Sequence, residues 1–446
     1  MLGLAVGIND ENSMPLPTVM GTNDRVIKLN NAATTPPFEG TIRTVQTFLQ
    51  TYGTLHRGAG PHATNTYLAV EDAIQAIRRF VHAREDQILL FTQNTSSAIN
   101  LYARMLDLHR DDVVITSSIE HTSNYLPWRY NTIATIVEVN TFDDGSIDYD
   151  DLERRAKRHA QNLKLITMTG ASNQTGYIPD IPRLAQIAHA HDAQLFIDAA
   201  QLVPHRPIDM QTQGIDALAF SAHKIYAPFG LGVLVVAKKL LDSIPVDPGG
   251  GSIDMISEHS ILWSAAQTRH QTGTWNVTGI VALAESVRLM SAAGWDAISV
   301  HERELVRYTA ERISNIPGIR LHIPAEKYTT EDRIGTFPFT ITGFHHAHVA
   351  AMLEHEYGIE TRAGTICNHR LVRRWFGVTD PEQRTIEQEI RNDNRLASYG
   401  IVRASLGIHN TKGDVDALAD ALTAIVTKGP QLRYRAVPEE ETYVPW

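Results

Sequence analysis

Short apolar runs punctuate the middle of the chain, at residues 88–91, 113–116, 133–139, 163–168, 195–197, 217–220 and 233–236. Runs this short, bounded by turn-forming residues, read as buried strands rather than helices. Segments with helical spacing lie between several of them, as at 92–100 and 182–191. This alternation predicts an α/β fold whose sheet is mainly parallel and covered on both faces. Outside it, helical spacing recurs at 39–52 (Ile42, Val45, Phe48, Leu49), 66–83 (Leu68, Val70, Ile74, Ile77, Val81), 277–293, 298–316 and 348–357. A last helix runs to Ile425 from an Asn410-Thr411 cap. Further strands are expected at 26–29, 337–341, 359–362 and 401–406, whereas residues 1–25, broken by Pro15, Pro17 and Gly21, read as irregular.

Several predicted strands end in chemically active residues. Asp198 closes one and Ser221-Ala222-His223-Lys224 another, with Gln201 and His205 between them. In α/β proteins ligand chemistry collects beyond the carboxyl ends of strands. An acid and a lysine there suit pyridoxal phosphate, with the lysine as Schiff-base partner and the acid on the pyridinium nitrogen. Thr95 and Ser96 open a predicted helix, as a plain N-cap or as an anion site. His121 follows a strand, either as a loop residue or as one that stacks on a ring or moves a proton. Asn173 lies past another strand end. The basic, glycine-rich stretch from His56 to His62 reads equally as an interhelical loop or as part of a site or subunit interface.

Composition narrows the classes. With 40 Lys+Arg against 50 Asp+Glu and a net charge of −10, the chain lacks the basic excess of a general nucleic-acid binder. One cysteine, Cys367, excludes an intrachain disulfide framework and a Cys-rich metal site, and no metal is expected. No apolar run reaches the roughly 20 residues that span a bilayer, and the N-terminus lacks the basic region of a secretory signal. A cytoplasmic enzyme without membrane contact is the expectation. His345, His346 and His348 cluster without a carboxylate beside them, which suggests a surface or interface role.

Taken together, the motifs resemble the class V branch of fold-type-I pyridoxal-phosphate enzymes, and within it the cysteine desulfurase and selenocysteine lyase group. The likeness runs from about residue 28 to about residue 425. It rests on Asp198-Ala-Ala-Gln201 with His205, Ser221-Ala-His223-Lys224, Glu120-His121 with Asn124 and Pro127-Trp128, Ser172-Asn173, Gly273-Thr274 with Asn276, Arg362-Ala-Gly-Thr-Ile-Cys367, and Arg403-Ala-Ser-Leu followed by Asn410-Thr411. The resemblance implies a large domain, residues 28–295, with a mainly parallel seven-stranded sheet. It implies a smaller α+β domain from residues 1–27 and 296–446.

It also implies roles. Lys224 would be the Schiff-base lysine and proton shuttle, Asp198 the pyridinium partner, and Gln201 a donor to the phenolic oxygen with Asn173 beside it. His121 would stack on the ring. Thr95, Ser96, Ser221 and His223 would hold the phosphate, with Thr274 reaching it across a homodimer interface. Arg403, Arg362, Asn173 and Ala33 would meet a small amino-acid substrate, cysteine or a relative. Cys367 would take sulfur as a persulfide and pass it to a protein acceptor. A C–S lyase, an epimerase, an aminotransferase on another amino acid, or a noncatalytic scaffold of the same fold are the alternatives. The chain departs from the family pattern at Ser97, Trp275 and Thr365-Ile366. About 35 residues separate Cys367 from Arg403, including a highly charged piece at 380–393.

Overall fold

A computed structural model describes residues 16–20 and 26–446. Most of the irregular segment expected at 1–25 lies outside the described residues. Seven strands form the central sheet: β1 (Gln87–Thr92), β2 (Val113–Ser117), β3 (Thr135–Val139), β4 (Leu163–Thr169), β5 (Gln194–Asp198), β6 (Ala217–Ser221) and β7 (Gly232–Ala237). Their order is β1-β7-β6-β5-β4-β2-β3. Only β7 runs against its neighbours, so β1 to β6 all present their carboxyl ends at one edge.

Alternate residues of each strand feed two cores. Leu195, Ile197, Leu218, Phe220, Val233 and Val235 face a layer built from the helices Pro61–Phe80, Ile181–His189 and Val277–Ala293. Phe196, Ala217, Ala219, Leu234 and Val236 face Ile99, Tyr102 and Trp128 from the helices Thr95–Met105 and Thr122–Tyr130. Burial on both faces explains why the strands read as continuous apolar runs rather than alternating ones.

A separate core surrounds an antiparallel sheet of β8 (Ile319–Leu321), β9 (Thr336–Ile341), β10 (Arg362–Gly364) and β11 (Ile401–Ser405), in the order β8-β9-β11-β10. The helices Trp295–Ser314, His346–Tyr357 and Lys412–Lys428 cover it. Thr411 and Asp414 form a capping box at the last helix, where the sequence places its start. A buried ion network joins the two halves. His205 meets Glu302 at 2.5 Å, and Arg206 bridges Glu302 (2.7 Å) and Asp332 (2.6 Å). Two other pieces cross over: Ile27–Lys28 pairs with Ile359–Glu360, while Val19 bridges Phe38 and packs in the first core.

Several expectations change in detail. The helix expected over 66–83 starts at Pro61, because proline is pre-set for a first helical turn and Gly60, at φ 98°, supplies the turn before it. The strand expected at 359–362 is two short strands with different partners. The charged piece folds as the helix Asp380–Arg391, opened by a Thr379/Glu382 capping box, after an unpredicted helix His369–Phe376. Two hairpins were also unpredicted: Ile253–Ile256 with Ile261–Trp263, and Tyr434–Val437 with Thr442–Pro445.

The histidine cluster is not a surface feature. His345 caps its helix, His346 is buried, and His348 stacks on Tyr443 at 4.6 Å, because the C-terminal hairpin lies over all three. No single helix among the described residues is long and apolar enough to cross a membrane. Nor does any group of three or more His, Cys, Asp or Glu side chains among them stand ready to hold a metal.

Candidate active site

A cavity of about 370 Å³ opens at the carboxyl ends of β1, β2, β4, β5 and β6, closed from the other side by β10, β11 and the loop after β10. It is lined by every candidate residue except Thr274. The strand ends deliver most of them. Asp198 is the last residue of β5, and Gln201 follows in the next turn. Ser221 ends β6, and a single 3-10 turn, Ala222–Lys224, swings His223 and Lys224 into the space. The start of β7 crosses close by: a Cβ on Gly232 would sit 2.4 Å from the Asn94 carbonyl, so this position requires glycine.

Burial dominates the electrostatics. Asp198 binds a proton more readily than an ordinary carboxyl, because burial outweighs its Ala200 amide hydrogen bond (3.0 Å) and the attraction of Lys224. Desolvation lowers Lys224 to about 8, with Arg403 adding to the fall and Asp198 and Cys367 opposing it. Lys224 thus loses its proton close to neutral pH, as an amine nucleophile or proton shuttle must. His121 is lowered to about 3 by burial, then by Lys224 and Arg403, so its ring is neutral. Its Nδ1 accepts from the Ser123 amide at 3.1 Å, which makes His121 the N-cap of the next helix and fixes the ring.

A polar cradle lies at the start of the helix Thr95–Met105. Thr95 donates its amide to Ser221 Oγ at 2.7 Å, and Ser96 Oγ meets Ser123 Oγ at 2.5 Å. His223, lowered to about 4 by burial and Lys224, completes it through Thr34 Oγ1 at 3.2 Å. A helix N-terminus ringed by hydroxyls suits a phosphate.

Opposite the cradle stand two arginines. Arg362 and Arg403 are direct cross-strand partners on β10 and β11. Like charges placed so are unfavourable unless an anion joins them. Arg403 is 1% exposed, donates to the Asn173 carbonyl (2.8 Å) and Asn30 Oδ1 (3.3 Å), and leaves its Nε buried without a partner. Burial and Arg362 lower it to about 9.

Between arginines and lysine comes Cys367. Ile366 and Cys367 both take left-handed backbone, φ 49° and 59°. That conformation is costly for a β-branched residue and holds only where surroundings enforce it. Asn173 Nδ2 grips the Ile366 carbonyl at 3.0 Å, and the Thr122 amide grips the Cys367 carbonyl at 3.1 Å. Asn173 and the neighbour of His121 therefore hold the thiol in the cavity, a role that sequence spacing does not disclose.

Pyridoxal phosphate fits this donor set: an acid for a ring nitrogen, a lysine amine, a flat neutral histidine and an anion cradle share one cavity. Gln201, expected at the phenolic oxygen, lines the same wall with its Nε2 donating to the Ala32 carbonyl at 2.6 Å. Ala33 also lines the cavity. Thr274 does not; it is exposed on the loop after Gly273. His56 and Arg57 are exposed too, with His56 edge-on to Trp275 at 5.1 Å and Arg57 bonded to the Ile253 carbonyl.

One supporting network was not expected. Buried Glu120 accepts from Ser117 (2.5 Å) and Asn124 (2.7 Å), and Asn124 Oδ1 in turn accepts from Trp128 and Thr167. Burial raises Glu120 to about 8, so it is largely a neutral acid beneath His121. The i, i+4 spacing of Glu120 and Asn124 around a histidine was its only trace in the sequence.

Residues 27–418 match the family model described as aminotransferase class-V. A probable cysteine desulfurase of Halalkalibacterium halodurans is 32% identical over 89% of this chain and 92% of its own length. A cysteine desulfurase of Salmonella newport is 31% identical, covering 84% and 86%. Among solved structures, the Escherichia coli cysteine desulfurase CsdA superposes with a TM-score of 0.76 at 28% identity, covering 91% of this chain and 95% of that one. The Thermococcus onnurineus cysteine desulfurase gives 0.79 at 26% identity, covering 90% and 94%. By its matched length and its similarity to these relatives, the chain belongs to the aminotransferase class-V family.

Proposed function

We propose that this protein is a pyridoxal-phosphate-dependent cysteine desulfurase, converting L-cysteine to alanine and leaving sulfur on Cys367 as a persulfide. The observation that carries this reading is the sharing of one cavity by Lys224, Arg403 and the chain's only thiol. The named activities of the relatives support it.

When bound, pyridoxal phosphate supplies an electron sink for a substrate carbon next to the amine. Asp198 would hold its ring nitrogen, and Thr95, Ser96, Ser221 and His223 its phosphate. Arg403, with Arg362 across the strand pair, binds the substrate carboxylate and so orients cysteine. Lys224, neutral above a pH of about 8, accepts the proton from the substrate's Cα. The Cys367 thiolate attacks the substrate's sulfur. The sulfur's bond to Cβ breaks with its electron pair kept on carbon, a proton added at Cβ completes the methyl group, and Lys224 returns its proton to Cα to give alanine. Sulfur remains bonded to Cys367 for transfer to a protein acceptor. His121, neutral and held by the Ser123 amide, would lie against the ring and keep water from that face.

Thr274 and the His56-Arg57 loop, both exposed in the single chain, are proposed to meet a second copy in a homodimer. A cytoplasmic site of action is proposed with it, as is a division into a large domain, 28–295, and a small domain, 1–27 with 296–446. The test is Cys367→Ala. It should abolish alanine and sulfide formation from cysteine yet keep the lysine-dependent visible absorbance. Alanine formed at the parent rate would remove Cys367 from the mechanism, and pyruvate as main product would point to a C–S lyase.

A further inference from the structure

The loop carrying Cys367 is gripped by Asn173 and Thr122 at the Ile366 and Cys367 carbonyls, and its base at Gly364 is a separate point at which it can be held. The C-terminal hairpin supplies a candidate. It lies beyond residue 418, outside the segment that matches the family. It docks on the helix His346–Tyr357 through Tyr434, which donates to Glu356 at 3.0 Å, and through Tyr443, stacked on His348. Its tip turns at Glu441, itself in left-handed backbone at φ 51°.

The Glu441 carboxylate points at the base of the Cys367 loop. It accepts from Ser398 Oγ at 2.7 Å and lies 3.6 Å from His346 Nε2. A Cβ on Gly364, the last residue of β10, would stand 3.5 Å from Glu441 Oε1. Gly364 also abuts Gly400 so closely that a Cβ there would fall 2.7 Å from the Gly364 Cα and 2.6 Å from the His346 ring. Gly364, at φ 105°, thus sits in a clamp of Gly400, His346 and Glu441, three residues before the thiol. On the far side of the loop His369 Nε2 meets Thr365 Oγ1 at 3.2 Å, and Glu441 lends that histidine proton affinity against the burial that lowers it.

We propose that Glu441 is a positioning residue, brought in by the C-terminal hairpin to fix the backbone from which Cys367 reaches the substrate. This rests on the desulfurase reading given above. Cys367 occupies a conformation that the isolated loop would leave, and a displacement of about 1 Å in a nucleophile lowers turnover by an order of magnitude or more. Glu441 does not line the cavity, and its partners Ser398, His346 and Gly364 do not line it either, so its removal acts on thiol placement and spares cofactor and substrate binding.

The test uses the full-length holoenzyme with Glu441→Ala, Glu441→Gln and the milder Ser398→Ala. Two quantities are read: kcat and KM for alanine formation from cysteine, and the rate of Cys367 alkylation by iodoacetamide. The chain has a single thiol, so total alkylation reports this loop alone. Glu441→Ala should lower kcat about tenfold, leave KM and cofactor content unchanged, and speed alkylation severalfold as the loop loosens. Glu441→Gln should recover most of both, since its amide oxygen still accepts from Ser398. Ser398→Ala should fall between them. Parent values of kcat and alkylation in Glu441→Ala would overturn the proposal. So would equal impairment in Glu441→Ala and Glu441→Gln accompanied by loss of cofactor, which would make the hairpin merely structural. If the parent makes no alanine at all, the desulfurase reading fails, and the alkylation rates still decide the role of Glu441.

Discussion

Replacing Arg403 by methionine should make the protein more stable and nearly inactive. Arg403 is buried and faces Arg362 across two strands; among the described residues it has no carboxylate partner and its Nε no acceptor. Its fall from the ordinary arginine range to about 9 means that holding the cation at neutral pH costs at most about 5 kcal/mol. The sign follows from linkage: the folded state binds this proton less tightly than the unfolded chain. The cost is therefore fully present below pH 9 and is relieved only as pH rises above it. Methionine removes that cost and keeps most of the volume. It forfeits the hydrogen bonds to Asn173 and Asn30, worth about 2 kcal/mol together.

The net gain is about 1–3 kcal/mol, in line with apolar replacements of buried charge elsewhere. Activity moves the other way. Two charge-assisted bonds to a substrate carboxylate are worth about 3–4 kcal/mol, a loss of about 10²–10³ in kcat/KM for cysteine. Urea unfolding at matched cofactor content measures the first effect and alanine formation the second. A variant destabilised by more than about 1 kcal/mol, or one with the parent KM, would refute the argument that Arg403 is an uncompensated cation awaiting an anion.

Cofactor-free protein should take up pyridoxal phosphate faster as pH rises, levelling off above about 8, because only the neutral Lys224 amine attacks an aldehyde; visible absorbance follows it, and a flat rate between about pH 6 and 9 would count against the assignment. Glu120→Gln should keep the network under His121, whereas Glu120→Ala should lose about 2–3 kcal/mol by stranding Ser117 and Asn124. Since the folded state raises Glu120 to about 8, it holds a proton that the unfolded chain releases near pH 4.5. Its stabilising contribution is complete at acid pH and is lost as pH climbs to about 8, so Glu120→Gln should gain on the parent across that window in urea unfolding.

Sequence alone determined a good deal of this protein. The seven apolar runs became the seven strands of one sheet, because strands buried on both faces have no choice but to be apolar throughout. Asp198, Ser221 and Lys224 were legible because each lies at or just past a strand end, a position that the local pattern reveals without knowledge of the fold. The Thr411 cap and the helix behind it were legible for the same reason: capping is chemistry within a few residues.

What the tertiary structure decided is everything that depends on residues far apart in the chain. The pairing of Arg362 with Arg403 needs two strands and a register, and no spacing encodes it. The Cys367 loop takes its shape from Asn173 and Thr122, about 190 and 245 positions away, and from Glu441, about 75 positions downstream. The surface part of the surface-or-interface reading of His345, His346 and His348 gives way to packing within the chain, because the hairpin that covers them forms only when the last strands of the chain find that helix. Short-range pattern fixes where reactive groups stand along the chain; long-range packing fixes which of them share a cavity, how dry it is, and hence which are charged.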